Sequence, residues 1–473
     1  MATTDQDRVV RIDDANVSWV DRFFKISERG TSVRTEIVAG LATWLTMAYI
    51  LFVNPIVLGF VGVPGLEGKG LPFAQVLTVT ALAAGVMTIA MGLYANRPFA
   101  LAAGLGLNAF VAFGLVAGRG LSWPDAMGVI VAEGILITIL VLTGLREAIL
   151  DAIPMDLKRA IGIGIGLFIA LIGFVNAGIV IHPEGGQPIV TLNGHLTTWP
   201  VGMFAFGLVL TSALVARKIK GALLIGMVAT TVLATIVNEI KHLAIWSDGI
   251  AALPHKVVAT PDFALVGNFS FHFWSALGTA TAIAVVLSVM LSDFFDTVGT
   301  VVGIGGEAGF LDKEGKLPGI RRVLLVDSLA AVAGGVTSSS SNTTYIESAS
   351  GVSEGGRTGL TSLVVGVLFL LAIFFSPIAG VIPPEATAPI LVIVGYFMMT
   401  LVKDISWSDP GIGIPALLTM AVMPFTYSIT NGVGAGFLSY TLIAVVRGRW
   451  REVHPLMYVV SAVFAWYFVH GAI

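Results

Sequence analysis

Long apolar runs dominate this chain of 473 residues and decide what it can fold into. Eight of the runs are long enough to cross about 30 Å of hydrocarbon as helices. They cover residues 36–60, 73–95, 123–144, 156–181, 199–216, 219–239, 276–304 and 358–376. Only 12% of the residues are charged, whereas soluble domains carry about 25%. The sequence therefore predicts an all-α polytopic membrane protein.

Six shorter or polar-interrupted runs raise the expected number of transmembrane segments to about fourteen. These runs cover residues 98–117, 322–337, 338–353, 387–403, 411–428 and 430–446. One more apolar run, 455–473, follows them. On the sequence alone, it either forms an extra span or lies along the membrane interface.

The positions of lysine and arginine test this count, because cytoplasmic loops are enriched in both. With the N-terminus inside, the segments expected in the cytoplasm hold 22 of the 26 basic residues. The other four are Lys69, Arg119, Lys241 and Lys256. A wrong number of spans would have mixed the two sides. We therefore expect a multi-pass protein of the inner or plasma membrane with a cytoplasmic N-terminus.

Composition also excludes several classes of function. A formal net charge of −3 argues against a nucleic-acid partner. The absence of cysteine excludes disulfides and thiolate metal sites. No soluble catalytic domain is left outside the apolar runs. We therefore expect no enzyme active site, no metal site and no cofactor, and a lipid bilayer as the surroundings.

An internal repeat relates the two halves of the chain. The segment AIPMDLKRAIGIGIG (152–166) aligns with VIPPEATAPILVIVG (381–395), and the two apolar runs that follow each segment correspond as well. Seven spans per half is an odd number, so the second copy must lie inverted in the membrane. Inverted repeats are typical of secondary transporters that alternate access around a site near the bilayer midplane.

In each half the third segment is interrupted. The first, RPFALAAGLGLNAFVAFGL (97–115), contains helix-breaking proline and glycine residues. The second, SSSSNTTYIESASGV (338–352), is small and polar. Non-helical backbone at membrane depth is tolerated only inside protein or beside a cavity. We expect two extended pieces followed by half-helices that begin near Gly106 and Asn342 and offer N–H groups to a ligand. The alternative, a loop at 338–353, would cost a span.

Three acids lie within the expected spans: Asp293, Asp296 and Glu347. A charged side chain at a helix centre costs about 2.5–3.5 kcal/mol on translocon scales, so such residues are functional hypotheses by default. Asp293 and Asp296 are three residues apart and share a helix face that can point at a cavity. We predict that Asp293 and Glu347 bind the ligand, and that Asp293, Asp296 or Glu347 carries a coupling proton. Asp296 has a second interpretation as a tether to the hydroxyl groups of 338–352.

Other candidates for the site flank these acids. Tyr345 can stack on a flat ligand or pack as an ordinary core residue, and Phe110 is a further aromatic candidate. Thr343 and Thr344 lie in the same polar segment. The glycine runs at 162–166 and 432–436 follow no predicted strand, so they indicate close helix packing and not a dinucleotide site.

Four motifs carry a resemblance to a known family. They are GTSVRTEIVAGLATWLTMAYILFVNP (30–55), SDFFDTVGT (292–300), TTYIESASGV (343–352) and GGRTGLTSLVVGVLFLL (355–371). In these motifs the chain resembles the AzgA-like adenine–guanine–hypoxanthine permeases of the nucleobase:cation symporter-2 superfamily, over residues 22–450. One departure is the serine-rich stretch before Thr343.

The resemblance implies fourteen helices in a seven-plus-seven inverted repeat, proton-coupled uptake of purine nucleobases and a homodimer. It implies that Asp293 and Glu347 bind substrate, that Asp296 is a nearby essential acid and that Asn108 is the polar residue of the third helix. It also implies a core domain that moves against a gate domain. The expected divisions are a cytoplasmic tail (1–35), core (36–145), gate (146–240), extracytoplasmic loop (241–275), core (276–380) and gate (381–473).

The chemistry of the acids agrees with a purine ligand. A neutral purine has N–H donors along its edge, which carboxylates accept, and two apolar faces. An anion exchanger or channel on the same fold is the first alternative, but acids at the centre repel anions. An intramembrane aspartyl hydrolase is a second, but it needs two aspartates on separate helices, whereas Asp293 and Asp296 share one. We therefore predict a proton-coupled purine importer.

Overall fold

The protein is a helical bundle whose helices are long enough to cross a membrane many times. The computed structural model describes residues 18–63, 65–144, 152–181, 190–241, 245–246, 249–254, 256–312 and 317–470. Within those ranges, ten helices are long and apolar enough to span. Parts of the expected tail 1–35, of the loop 241–275 and of the cytoplasmic charge count (Arg8, Arg11, Arg146, Lys313 and Lys316) lie outside the described residues.

The first half of the chain contains nine helices and three short strands among its described residues. Helices α4 and α5 are each extended by a π-helical segment, Met91–Ala95 and Phe110–Ala117. The elements are α1 Trp19–Phe24, α2 Val33–Met47, α3 Ile50–Leu58, α4 Phe73–Ala90, β1 Leu101–Ala103, α5 Leu105–Ala109, α6 Trp123–Thr143, α7 Met155–Asn176, β2 Val180–Ile181, β3 Thr191–Leu192, α8 Trp199–Ala216 and α9 Ala222–Lys241.

The described residues of the second half contain ten helices and one strand. Short 3₁₀ turns follow two of the helices, at Ile373–Phe375 and Thr400–Asp404. The elements are α10 Phe273–Leu277, α11 Thr279–Glu307, α12 Ile320–Val336, β4 Asn342–Thr344, α13 Ser348–Ser353, α14 Gly359–Ala372, α15 Ser376–Ala379, α16 Pro384–Met399, α17 Pro410–Thr426, α18 Ile429–Val446 and α19 Pro455–His470.

Helices form where the apolar runs predict them, and their starts are capped by polar side chains. Ser32, Ser122, Thr198 and Ser428 each accept a hydrogen bond from the backbone N–H three residues further on, which satisfies one of the free donors of a helix start. The broken segments 98–117 and 338–353 are extended pieces followed by helices, as expected. The second helix starts at Ser348 and not near Asn342, because Asn342–Thr344 is paired as strand β4.

One end of the bundle carries most of the basic residues, and we call it the basic side. Loops expected in the cytoplasm contact one another there. Arg29 donates to Asn96 O (2.6 Å) and to Arg357 O (2.9 Å). Arg447 pairs with Asp409 at 2.5 Å. These contacts join loops that are far apart in sequence, as expected for a chain that crosses the membrane back and forth.

The opposite end, which we call the far side, is assembled in the same way from the remaining loops. Trp123 donates to Lys69 O (2.8 Å), and Gln75 donates to Asp262 (2.8 Å). Arg119 donates to the hydroxyl of Tyr467, and that hydroxyl donates to Asn431 (2.6 Å).

Helix α19 settles the two interpretations of the run 455–473, as far as His470. At its start Tyr458 donates to Trp450 O (2.7 Å), next to the basic loop after α18. Near its other end Tyr467 bonds to Arg119 on the far side. Its buried residues Met457, Ser461, Phe464 and Tyr467 form one face. The helix therefore runs across the bundle and does not lie along the interface.

Close glycine contacts hold the helices expected in the gate together, as the glycine runs predict. A Cβ atom on Gly395 of α16 would lie 2.5 Å from Gly166 O of α7. One on Gly432 of α18 would lie 2.7 Å from Thr419 O of α17. The helices expected in the core contact each other separately, with α6 packed on α12 and α14 packed on α2 and α4.

Candidate functional site

Two interrupted segments meet at the centre of the bundle. Strands β1 and β4 pair antiparallel, with Ala102 opposite Thr343 at the middle of the pair. The pairing extends beyond β4, where Tyr345 N donates to Ala100 O (2.9 Å). Because these short strands satisfy each other's backbone groups, both segments can stay extended at membrane depth.

A cavity of about 120 Å³ lies against the ends of these strands, between them and helices α7 and α16. Its walls are mostly apolar with a few polar groups, as is typical of small-molecule sites. Its lining residues are Tyr49, Gly104, Leu105, Gly106, Leu107, Ile165, Ile169, Ser292, Asp296, Thr300, Thr343, Thr344, Tyr345, Ile346, Glu347, Val394, Phe397 and Met398. The start of α5 is in this lining, and the first N–H groups of a helix have no partner inside it.

Glu347 lies at the cavity in the residue position just before α13. Tyr49, between α2 and α3, donates its hydroxyl hydrogen to Glu347 Oε1 at 2.6 Å. Tyr49 is itself buried. Sequence analysis missed this tyrosine, because an aromatic residue in an apolar run carries no signal of its own. The bond holds one carboxylate oxygen in place beside the cavity.

The two aspartates of α11 have different surroundings, although they are three residues apart. Asp296 lines the cavity and is exposed to it. Asp293 is 0% exposed and does not line the cavity. Its Oδ2 atom lies 3.1 Å from Ser341 Oγ. The edge of the cavity therefore falls between them, with Asp296 in the lining and Asp293 behind it.

Two further buried acids surround the polar segment, and sequence analysis missed both. Glu133 of α6 accepts from Ser341 Oγ at 2.8 Å. Asp327 of α12 accepts from Thr344 N (2.8 Å), Thr344 Oγ1 (2.7 Å) and Thr297 Oγ1 (2.7 Å). Asp327 therefore makes the hydroxyl tether that was considered for Asp296. An acid within an apolar run is the signal that would have found both.

The remaining predicted residues divide between the cavity and the interior. Thr343, Thr344 and Tyr345 line the cavity, and the hydroxyl of Tyr345 donates to Ala103 O. Asn108 and Phe110 are 0% and 1% exposed and do not line the cavity. Both polar side-chain atoms of Asn108 have no hydrogen-bond partner among the described residues. The structure therefore brings five of the predicted residues together at the cavity. They are Asp296, Thr343, Thr344, Tyr345 and Glu347.

An exposed stripe of α11 leads from the cavity toward the basic side. Along α11, Asp296, Gly299, Gly303 and Gly306 are exposed. Open space surrounds Gly299 and Gly303, since a Cβ atom there would have no neighbour within 4 Å. These residues follow one another at helical spacing toward the basic loop after α11. An exposed helix face therefore connects the cavity with the basic side.

Toward the far side, a group of aromatic rings packs together. Tyr427, in the link between α17 and α18, contacts Phe168 of α7 (ring centroids 5.2 Å) and Phe113 (6.4 Å). Phe113 also contacts Phe60 at 5.5 Å. We call Phe60, Phe113, Phe168 and Tyr427 the aromatic seal.

In the described part of the chain, no group of three or more His, Asp and Glu residues could hold a metal ion.

Comparison with known proteins identifies the family. The model of the Permease family designated Xan_ur_permease matches residues 34–446. This chain belongs to the Permease family. The expected resemblance to nucleobase permeases is therefore confirmed, and the protein is a membrane transporter.

Named relatives of this permease have related activities. It is 40% identical over 449 residues to the guanine/hypoxanthine permease PbuG of Bacillus subtilis (strain 168), covering 94% of this chain and 99% of that one. It is 39% identical over 447 residues to the adenine permease AdeQ of Escherichia coli (strain K12), covering 94% and 95%.

Two solved structures share the fold of this permease. The transmembrane domain of the cyanobacterium bicarbonate transporter BicA superposes with a TM-score of 0.59 at 14% identity, covering 90% of this chain and 97% of that one. Murine Slc26a9, an anion transporter in the inward-facing state, superposes with a TM-score of 0.62 at 10% identity, covering 92% and 73%. At these identities the likeness concerns the fold alone.

Proposed function

We propose that this permease imports purine nucleobases together with protons, by alternating access. The observation that carries the proposal is the pair of acids, Asp296 and Glu347, at one small cavity with apolar walls. Carboxylates accept from the N–H groups of a purine edge, and free N–H groups at the start of α5 can donate to its ring nitrogens or carbonyl oxygen. The purine permeases among the relatives support this substrate class.

The binding roles follow the cavity. Asp296 and Glu347 hold the purine edge, Thr343 and Thr344 line the pocket beside it, and the ring of Tyr345 packs against the base. Asn108 and Phe110 are buried behind the cavity lining, where they hold the start of α5 in position. We assign no direct contact with purine to Asp293, because it is buried away from the lining. An anion cargo is disfavoured, since two acids at the cavity repel it.

The path to the cavity supports alternating access. The open stripe of α11 leads to the basic side and the aromatic seal closes the far side, which is the arrangement of an inward-facing state if the basic side is cytoplasmic. We propose that fourteen spans form two inverted copies of seven, that α19 adds one further crossing, and that the core (36–145 and 276–380) moves against the gate (146–240 and 381–473). Motion of this kind would break the aromatic seal, because Phe113 belongs to the core and Tyr427 to the gate.

We further propose that the protein works in the inner or plasma membrane, with its N-terminus in the cytoplasm. The membrane potential then assists entry of a proton by about 2.3 kcal/mol per 100 mV. A homodimer is the proposed assembly. Helices α8 and α9 bury only 28% and 33% of their apolar windows, which leaves surface for lipid or a second copy.

Uptake of radiolabelled hypoxanthine into proteoliposomes tests the proposed function. We expect accumulation only under an inward proton gradient, its loss with a protonophore, and competition by adenine and guanine but not by uracil or sulfate. Asp296→Asn and Glu347→Gln should each abolish uptake, whereas the exposed control Glu452→Gln should not. Competition by sulfate alone, or uptake by both site variants at the normal rate, would refute the proposal.

A further inference from the structure

Two carboxyl groups share one hydroxyl group inside the bundle, behind the cavity. Ser341 Oγ lies 2.8 Å from Glu133 Oε1 and 3.1 Å from Asp293 Oδ2. All three side chains are 0% exposed, and none of them lines the cavity. The cluster is therefore separate from the groups that face the substrate.

The two short contacts of Ser341 determine how many protons the cluster must hold. A serine hydroxyl has one hydrogen, and an ionised carboxylate can only accept. Ser341 can therefore donate to one of the two acids but not to both. The second short contact is a hydrogen bond only if the other carboxyl carries a proton and donates it to Ser341 Oγ. The arrangement accordingly needs one extra proton on the pair.

The surroundings oppose ionisation of both acids. Glu133 Oε2 and Asp293 Oδ1 have no hydrogen-bond partner among the described residues. The charged groups that act on the pair are acids, Asp327 of α12 and Asp296 of α11. Two buried negative charges with unsatisfied oxygen atoms and more acids nearby would be costly.

The other elements packed around the pair do not reverse this balance. Glu347 precedes α13 at the cavity. Lys158 of α7 lies over the ring of Phe295, 5.4 Å from its centre. Phe295 is not next in sequence to Glu133 or to Asp293. Helix α10 and the π-helical segment after α5, which pack on α6, contain no acidic or basic side chain.

We propose that Glu133 and Asp293, bridged by Ser341, form the site that holds the coupling proton. The inference rests on the proposed function and names the group that carries the proton within it. Glu133 comes from α6, which no motif of the sequence had marked. Its role is to share a proton and not to touch the substrate.

Two short routes connect this site to the purine. Ser341 directly precedes β4, whose residues Thr343 and Thr344 line the cavity. Asp293 lies one helical turn before Asp296 on α11. When the proton leaves, one acid loses its bond to Ser341, and an additional negative charge appears near Asp296. Both changes disfavour the bound purine, so the protonated pair is the form that binds.

Purine binding at different pH values tests the proposal. With detergent-purified protein and radiolabelled hypoxanthine, affinity should be highest at low pH and fall as pH rises, by up to about tenfold per pH unit for one linked proton. In Glu133→Gln binding should remain measurable, but this slope should be lost. Ser341→Ala should also lose it, and Ser341→Thr, which keeps a hydroxyl, should retain it.

The control is Glu385→Gln. Glu385 is another largely buried acid, bonded to Trp246 at 3.0 Å and outside the cluster, so the variant should show the wild-type slope. A wild-type slope in Glu133→Gln overturns the proposal. If Glu133→Gln does not fold, the comparison of Ser341→Ala with Ser341→Thr gives the same decision.

A second readout separates this inference from the proposed function. Infrared difference spectra in H₂O and D₂O report a protonated carboxyl group directly. We expect its band in the wild type and its loss in Glu133→Gln and in Asp293→Asn. If the wild type binds no purine at any pH, the proposed function fails, but the band still decides whether a proton is shared. A band that persists in both variants rejects the shared proton.

Discussion

At the scale of single residues, the cavity depends on hydrogen bonds that orient its acids. Tyr49 holds Glu347 Oε1 at 2.6 Å, which leaves the second oxygen of that carboxylate for a ligand. Hydrogen bonds to charged groups contribute about 1.5–3 kcal/mol. The orientation of Glu347 is therefore set by a residue that has its own place in the core.

Tyr49→Phe should weaken purine binding. The ring and its packing are kept, but Glu347 loses its donor, so the affinity should fall by about tenfold to a hundredfold, the equivalent of that bond. Competition binding with radiolabelled hypoxanthine measures the effect. The control is Tyr94→Phe, since Tyr94 is 52% exposed and is not part of the lining. Equal affinities for the two variants would show that the bond does not serve the site.

Backbone strain in the serine stretch gives a second prediction at this scale. Ser338 and Ser340 have positive φ values of 59° and 71°, a conformation that costs a non-glycine residue about 1–3 kcal/mol. Ser338 Oγ donates to Leu265 O or Asn268 O (3.2 and 3.1 Å). Ser340 Oγ is buried without a partner among the described residues.

Glycine at the two positions should therefore have different effects. Ser340→Gly removes strain and an unsatisfied hydroxyl, whereas Ser338→Gly removes the same strain but loses hydrogen bonding. We expect Ser340→Gly to be the more stable variant by about 1–2 kcal/mol. Thermal unfolding in detergent measures the difference. The opposite order would show that the hydroxyl of Ser340 is satisfied in the folded protein.

What the sequence could predict at this scale was the type of residue and not its direction. Acids within apolar runs mark the centre correctly, and the same criterion would have included Glu133 and Asp327. The different surroundings of Asp293 and Asp296 could not be predicted. Their three-residue spacing puts them about 60° apart on α11, and only the packing of neighbouring segments decides where the cavity edge crosses that arc.

At the scale of elements, the helices pack through glycine residues as well as apolar side chains. Helix α19 contacts α18 through Phe464, whose ring centroid is 5.9 Å from that of Phe437. A Cβ atom on Gly434 would lie 2.7 Å from Phe464 and 2.8 Å from Phe468. Ser461 and Thr441 add a hydrogen bond of 2.8 Å between the same helices. The contact is too close for a larger residue.

Gly434→Ala should destabilise the protein by about 1–3 kcal/mol, the usual cost of overpacking. Gly202→Ala is the matched control. Gly202 is an exposed residue of α8 with no atom near the position of its Cβ, so alanine there should stabilise the helix by about 0.5–1 kcal/mol. Melting temperatures of the two variants should shift in opposite directions. A shift of the same sign in both would argue against the α18–α19 contact.

The existence of each element was predictable, and its pairing was not. Apolar length gives the helices to within a few residues, and proline and glycine mark the broken segments. The pairing of β1 with β4 has no local signal, because residues 101–103 and 342–344 lie in different halves of the chain. For the same reason, the start of α13 at Ser348 could not be read from the sequence.

At the scale of the whole molecule, an exposed helix face leads from the cavity toward the basic side, and the aromatic seal lies toward the far side. The bodies that meet at the aromatic seal are expected to separate during transport. Since the chain has no cysteine, a single introduced cysteine is its only thiol. This makes the orientation of the open path measurable without further changes.

Gly303→Cys should react with a membrane-impermeant maleimide from the cytoplasmic side only. Gly303 is exposed in open space on the path to the cavity. When the protein changes to the outward-facing state, the path to the cavity is hidden. Purine, added with a gradient that favours this state, should therefore slow the maleimide reaction. Val131→Cys, at a buried position between α6 and α12, should not react from either side. Labelling of Gly303→Cys from outside would reverse the proposed orientation.

The positions of basic residues predict which loops lie at each end of the bundle, and the contacts of Arg29 with Asn96 and Arg357 agree with that division. The open end could not be predicted in this way. Inward-facing and outward-facing arrangements use the same sequence and the same helices, and they differ in how two bodies sit against each other. Length and charge patterns are identical in both.

The strand pair at the centre also constrains how the protein can be made. Gly104 N bonds to Ser341 O (2.8 Å) and Tyr345 N bonds to Ala100 O (2.9 Å), so each half of the chain completes the other's backbone. During synthesis the first half enters the membrane long before its partner strand exists, and hydrocarbon offers no substitute for the missing bonds. The backbone groups of the nascent first half therefore need another partner until the second half has been made.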